Sequence, residues 1–267
     1  MKKTNYLIIF TIDRSLSDTQ GLFGRIFTGG IVKNVALLNV NIIGGTTVGS
    51  VTGANYGVIQ NCFVTGNVSG RSSVGGVAGA NGGTIENCYT TCNVVGRRSF
   101  PQNLGTSVGG VLGYNREAGI VQNCYSTGSI TGSYDLGGVV GDSNGTIKNC
   151  VALNKEINAS VSIPRVGVGC VVGLNATGTL TNNYARETGM IITSNNVNVN
   201  VGENPTASSI HGANTSSANY NGTNSGAWWG SSSAAPGFNA AYWSFANNHL
   251  PWLLGFPNLT QTPTVIN

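Results

Sequence analysis

The sequence predicts an all-β chain wound as a parallel β-solenoid of about six coils with a period near 26 residues, closed by an aromatic C-terminal cap. Three observations predict it. A short apolar motif recurs along the 267 residues, glycine fills 40 positions, and charged residues make up 8% of the chain, against about 25% in an average soluble domain. So few charges argue against the highly charged kind of disorder and against exposed helices laced with ion pairs. The net charge of +4 is mild and does not point to nucleic acid. The apolar run Tyr6 to Phe10 is far too short to cross a bilayer, so no membrane span is expected.

Residues 1–20 read as an N-terminal strand or cap. Met1-Lys2-Lys3 and the apolar run after it imitate a secretory signal, but Asp13 and Arg14 interrupt it and no small-x-small cleavage site follows. Ile8, Phe10 and Ile12 alternate as one face of a strand does. An export signal is therefore not evident in this stretch.

Residues 21–193 hold the repeats. Val48 to Gly53 (VGSVTG), Val74 to Gly79 (VGGVAG), Val108 to Gly113 (VGGVLG), Leu136 to Gly141 (LGGVVG) and Val168 to Gly173 (VGCVVG) are copies of one motif. An Asn-Gly-rich turn follows each, and then a second motif, as in Gly57 to Cys62 (GVIQNC), Gly83 to Cys88 (GTIENC), Gly119 to Cys124 (GIVQNC) and Gly145 to Cys150 (GTIKNC). A third, aromatic-x-Thr-Gly-x-aliphatic-x-Gly, starts at Phe63, Tyr89 (with Cys92 replacing the first Gly) and Tyr125. The asparagines Asn34, Asn61, Asn87, Asn123, Asn149 and Asn182 are spaced 27, 26, 36, 26 and 33 residues apart, and the excesses read as loops, the largest near Arg97 to Gly105. Each repeat offers three short strand-like runs without helical period, so each is one coil. Coils stacked about 4.8 Å apart give a rod about 29 Å long.

The columns support the stacking. Val32, Ile59, Ile85, Val121, Ile147 and Leu180 are aliphatic and expected inside; Lys33, Gln60, Glu86, Gln122, Lys148 and Thr181 are polar and expected outside. Ser50, Gly76, Gly110, Gly138 and Cys170 suit a narrow interior where a bulky side chain clashes. The column Asn61, Asn87, Asn123, Asn149 and its neighbour Cys62, Cys88, Cys124, Cys150 read as structural ladders. Strand parity alone turns Asn87 inward and Cys88 outward, whereas an asparagine at a corner buries the cysteines instead; the sequence leaves both open. With the corner, Phe63, Tyr89, Tyr125 and Tyr184 form an outer aromatic stripe broken by Val151. Residues 194–226, rich in Asn, Ser, Thr and Gly, read as an irregular coil or link, and residues 227–267, which hold all four tryptophans, as the aromatic cap.

The alternation of GG-V-x-G with G-T-I-x-N-C-Y-x-T-G-x-V-x-G resembles the GLUG motif of bacterial surface proteins. The likeness covers Gly21 to Arg186, and the ending from Tyr242 to Pro257 is similar to the tryptophan and Leu-Pro-x-Leu segment that closes such repeats. The resemblance implies an extracellular or cell-surface, adhesin-like module, and such repeats also stand beside immunoglobulin A peptidase domains. It implies no reaction for the repeats themselves. The peptidases' H-E-x-x-H zinc signature is missing here, His211 and His249 being the only histidines. Family repeats usually sit in longer chains, so a fragment or shortened product is expected.

Candidate sites follow from these readings. Phe100 and the adjacent Arg97 and Arg98, in the inserted loop, are candidate ligand contacts, against the plainer reading of a solvated loop. Trp228, Trp229 and Trp243 either close the solenoid end or stack on sugar rings. The six cysteines allow a free-thiol ladder, disulfides, or zinc at Cys88-x-x-x-Cys92; in-register parallel side chains fit disulfide geometry poorly, so free thiols are expected. No carboxylate pair recurs on neighbouring rungs, Asp135 and Asp142 lying at opposite ends of one motif, so no catalytic residue, metal or cofactor is expected. The expected function is a non-catalytic stalk and interaction surface for a host or neighbouring-cell surface protein or glycan. The alternative is an accessory segment of a larger exported peptidase or glycan-active protein.

Overall fold

The computed structural model describes residues 6–14, 16–97, 106–160, 167–188, 190–194, 197–198, 205–223, 225–231, 234–256, 261 and 263. Its coils follow one course. The Val-Gly-Gly-Val motif makes two strands joined by a glycine turn, as in Ser72–Gly75 and Ala78–Asn81. The Gly-Thr-Ile motif makes Thr84–Glu86, and the aromatic motif makes either one strand, Phe63–Gly70, or two, Tyr89–Thr90 and Asn93–Gly96. Three sequence motifs thus give up to five strand segments per coil, because the glycine turn and the break after the aromatic each start a new wall.

Equivalent segments pair in parallel and in register. Val74 lies between Val48 and Val108, Ile85 between Ile59 and Val121, and Tyr89 between Phe63 and Tyr125. Among the described residues this builds one 5-stranded wall, two 6-stranded walls and a branched 14-stranded wall. The glycine turns keep the ladder unbroken: Gly76 N donates to Gly110 O at 3.0 Å, and Gly110 N to Gly138 O at 3.0 Å. A Cβ on Gly110 would lie 2.6 Å from Cβ of Ser126 on the facing wall, which is why the interior admits only tiny residues there. The aliphatic column is interior throughout, fully buried from Ile59 to Ile147. In the outer column Glu86 accepts from Gln60 Nε2 and Gln122 Nε2, both at 2.6 Å.

The asparagine column is a column of corners. Asn34, Asn61, Asn87, Asn123, Asn149 and Asn182 all have φ between 51° and 58°, a left-handed conformation that asparagine tolerates better than other non-glycine residues. The corner turns the chain so that Cys62, Cys88, Cys124 and Cys150 point inward and are fully buried. A second left-handed column, Thr47, Ser73, Ser107 and Asp135, opens the Val-Gly-Gly-Val strands, and its threonine and serines do not announce it.

Both ends of the rod carry added strands. Tyr6–Ile8 and Thr11–Asp13 pair with Val35–Ile43 at the start. At the far end Ile210 O accepts from Val171 N and Val172 N, both at 3.0 Å, and Ala213–Thr215 pairs with Tyr184–Arg186. Part of the expected link therefore works as a last partial coil. Two short helices, Ser217–Asn221 and Ser225–Gly230, follow, although no helical period marks them. Helices this short depend on tertiary contacts, here those of Tyr220, Trp228 and Trp229.

Asn123 donates to Asn87 Oδ1 at 3.3 Å and accepts from Asn149 Nδ2 at 3.0 Å. Replacing it with Ala removes both bonds and leaves a left-handed Cβ residue, which should cost about 2–3 kcal/mol. Asn123→Gly keeps the conformation and should cost about half as much. Urea unfolding of the two variants against the parent checks the order.

Candidate functional site

The corner asparagines are tied along the axis. Asn61 Nδ2 donates to Asn34 Oδ1 at 3.3 Å, and Asn182 Nδ2 to Asn149 Oδ1 at 2.9 Å. The line breaks once, between Asn61 and Asn87. There Asn87 Oδ1 accepts from Trp243 Nε1 at 3.2 Å, while Asn61 Oδ1 has no partner among the described residues. Each cysteine of the neighbouring column donates to the carbonyl two residues before it, at 3.1–3.3 Å. All six cysteines are free and buried, and burial raises the thiols of Cys62, Cys88 and Cys124 well above their ordinary value. These thiols are packing groups, poor as nucleophiles or metal ligands in the folded chain.

The tryptophans are placed on the flank. Phe63, Tyr89 and Tyr125 stack at 4.9 and 5.0 Å between centroids with rings 1° from parallel, as in-register rungs dictate. The C-terminal segment lies over this stripe: Phe256 on Phe63, Trp243 on Tyr89 and Tyr125, Trp229 on Tyr125, Trp228 on Tyr184. Trp229 Nε1 donates to Tyr220 O at 2.9 Å, Trp228 Nε1 to Ala234 O at 3.2 Å, and Tyr125 OH to Pro251 O at 2.7 Å. The expectation that Trp228, Trp229 and Trp243 contact a ligand needs correction. Their exposures are 9%, 0% and 1%, so ring faces and N–H groups are spent inside the protein. The expected position of the cap changes too: the tryptophans lie on the flank stripe, and the open coil end is met by residues 207–215.

Arg97 is also anchored. Its Nη2 donates to Gly44 O at 2.7 Å, which folds the side chain back over the wall instead of into a projecting loop. Arg98 and Phe100 lie outside the described residues.

Two clusters escaped the sequence reading. Asn55, Asn81, Asn115 and Ser143 form a buried internal ladder: Asn55 Nδ2 donates to Asn81 Oδ1 at 2.8 Å, Asn81 Nδ2 to Asn115 Oδ1 at 3.0 Å, and Asn115 Nδ2 to Ser143 Oγ at 3.3 Å. The signal was present as the residue two after the motif's last glycine. Cys170 and His211 meet at 3.5 Å, Sγ to Nδ1, although 41 residues separate them. The pair is neutral: burial pushes the thiol up to about 12 and holds the imidazole below its ordinary range. Nδ1 also receives the Cys170 amide at 3.3 Å, so it is a weak base toward the thiol.

Asp135 and Asp142 interact through space. Burial, and then the Asp142 charge, push Asp135 up to about 6; burial also raises Asp142, whose Oδ1 has no partner among the described residues. No group of three or more His, Cys, Asp or Glu suited to a metal occurs among the described residues. No helix there is long and apolar enough to cross a membrane.

With this geometry in place, the comparisons with known proteins fall in line. Residues 105–131, one repeat of the solenoid, match the family model described as the GLUG motif. A 56-residue stretch, 21% of this chain, is 46% identical to halomucin of Haloquadratum walsbyi and spans 1% of that protein. The solved structure of a candidate immunoglobulin A1 protease from Bacteroides ovatus superposes with a TM-score of 0.64 at 21% identity, over 86% of this chain and 74% of that one. At that identity the likeness concerns the fold.

Trp243→Ala should cost about 3–5 kcal/mol, because it empties the centre of the aromatic cluster and removes one of the two hydrogen bonds that Asn87 Oδ1 accepts; thermal unfolding checks this. Asp135 ionises later in the folded chain, shifted from the ordinary 3.8 to about 6, so the unfolded chain loses its proton first and stability falls as pH rises between those values. Asp135→Asn, which tolerates the same left-handed backbone, should remove that slope and add about 1–2 kcal/mol at neutral pH, less than the full shift implies because the carboxyl is partly solvated. Urea midpoints across that pH range check it.

Proposed function

We propose that this GLUG-motif solenoid is a non-catalytic module of a cell-surface or secreted protein, an adhesin-like stalk that offers its walls as an interaction surface. The observation that carries the reading is where the polar side chains spend their bonding. Glu86 is clamped by Gln60 and Gln122, the corner asparagines bind mainly along the axis, and the thiols bond to carbonyls of their own wall. A wall built so serves rigidity; a reaction centre needs groups left free to meet a substrate. The GLUG-motif match and the local likeness to halomucin support a surface or secreted setting.

A second reading has its own support. The fold shared with a candidate immunoglobulin A1 protease favours an accessory segment of a larger exported peptidase or glycan-active protein. In that case the repeats present or position a substrate, and the reaction belongs to another part of the chain.

The partner under the first reading is a protein or glycan of a host or neighbouring cell. The purified chain should bind members of a glycan and extracellular-matrix protein array saturably, and should leave immunoglobulin A1 uncut over long incubation. Cleavage of immunoglobulin A1 by this chain alone would overturn both readings.

A further inference from the structure

One edge of the solenoid carries an arginine and aromatic stack that the sequence analysis does not single out. Arg25 Cζ lies 5.9 Å from the Phe27 ring centroid and 5.8 Å from that of Tyr56. Arg116 Cζ lies 5.9 Å from Tyr56 and 5.7 Å from Tyr114. Rings and guanidiniums therefore alternate in the order Phe27, Arg25, Tyr56, Arg116, Tyr114. The register explains the alignment, since Arg25, Ala54, Ala80 and Tyr114 occupy successive rungs of one column, and Phe27, Tyr56, Gly82 and Arg116 follow Ile26, Asn55, Asn81 and Asn115 on the same rungs. Gly82 completes it: a Cβ there would stand 3.1 Å from Tyr56 Cδ1 and 3.4 Å from Arg116 Cδ, in the space where those two side chains meet. Beyond Tyr114 its own column continues as Asp142 and Leu174, so the strip's anion-binding part ends at Tyr114; beside it Asn144 Nδ2 donates to Tyr114 OH at 2.9 Å and Thr177 Oγ1 to Asn144 Oδ1 at 3.4 Å.

The stack has the chemistry of an anion-recognition strip. A ring against the plane of a guanidinium leaves its in-plane N–H donors free and fixes their direction. Arg25 and Arg116 are exposed, and neither has an acidic partner among the described residues, where the recorded ion pair is Arg71 with Asp18. Glu117, beside Arg116 in sequence, forms no ion pair with it. Phe27 is 69% exposed and Tyr114 half-buried, so both offer apolar surface at the ends of the stack, with the small Ala54 and Ala80 between Arg25 and Tyr114.

We propose that this strip binds an acidic polysaccharide whose repeating anion is a carboxylate, a polyuronate. Carboxylates match the two guanidinium forks, pyranose faces match the end rings, and sugar hydroxyls match Asn144 and Thr177. An acidic peptide fits less well, because the strands under Tyr56 and Tyr114 are paired on both sides and offer no edge for β-addition. A nucleic acid calls for more cations than two arginines in a chain of net charge +4. The proposal rests on reading the chain as an interaction module and names the ligand class of that module.

The test is calorimetry of the full chain with polygalacturonate, neutral dextran, dextran sulfate and oligo-dT, at low and at physiological salt. Polygalacturonate should bind and dextran should not. Arg25→Ala with Arg116→Ala should weaken binding about tenfold or more with an unchanged thermal midpoint, while the paired Arg→Lys variant, which keeps charge and loses the fork, should retain an intermediate affinity. Phe27→Ala provides a second variant should the alanine pair unfold, and it too should weaken binding. Undiminished polygalacturonate binding by the arginine or Phe27 variants would overturn the proposal, as would no polygalacturonate binding, or stronger binding of dextran sulfate or oligo-dT. If polygalacturonate fails while the array gives another saturable ligand, the strip falls and the module reading stands; if the array gives no other ligand but the strip variants lose polyuronate binding, the strip stands and the broader adhesin role falls.

Discussion

Every feature of this chain depends on coils that close at the same place. The left-handed asparagine corner sets that place, once per turn, and side-chain bonds tie the corners along the axis at every step but the one from Asn61 to Asn87. Because side chains alternate along a strand, a slip of one residue would turn the aliphatic column outward and the polar column inward. The corner also decides the parity of the residue after it, so that cysteine is buried and the aromatic after that lies outside. One backbone choice, repeated six times, thus fixes the core, the thiol column and the stripe.

The stripe creates a cost that the C-terminal segment removes. Stacked rings on the outside of a rod form a large apolar face that would otherwise invite association. The segment covers it with Trp228, Trp229, Trp243 and Phe256, and joins the two systems through the Trp243 bond to Asn87. The corner ladder's missing bond, to Asn61 Oδ1, falls at the same corner, while Asn87 Oδ1 holds both Trp243 and Asn123. The strip of Arg25, Tyr56 and Arg116 belongs to another wall, and both of its arginines are exposed among the described residues.

Much of this was legible in the sequence for a physical reason. Solenoid contacts join equivalent residues of neighbouring repeats, so a column such as Ile59, Ile85 and Ile147 already shows the contact list. What repeats do not encode was harder to read. The left-handed column at Thr47, Ser73 and Ser107 uses residues without that preference, and the order of corner and strand at Asn87 and Cys88 needed backbone angles. The placement of the tryptophans and the meeting of Cys170 with His211 join distant, unrepeated segments. The alternation of Arg25, Tyr56 and Arg116 draws on two columns, one with Arg25 and Tyr114 and one with Tyr56 and Arg116, whose residue types are not repeated from coil to coil, so neither column displays it alone.

Spin labels on the outer polar column test the stacking most directly, because the native thiols are buried and an added exposed cysteine is the reactive one. With Lys33→Cys as the fixed site and Gln122→Cys, Lys148→Cys or Thr181→Cys as the second, the partner lies three, four or five rungs away. Electron-electron resonance should show the separation growing by about 4.8 Å per rung, in narrow distributions. Distances that fail to rise in that order, or that spread broadly, would contradict the in-register solenoid.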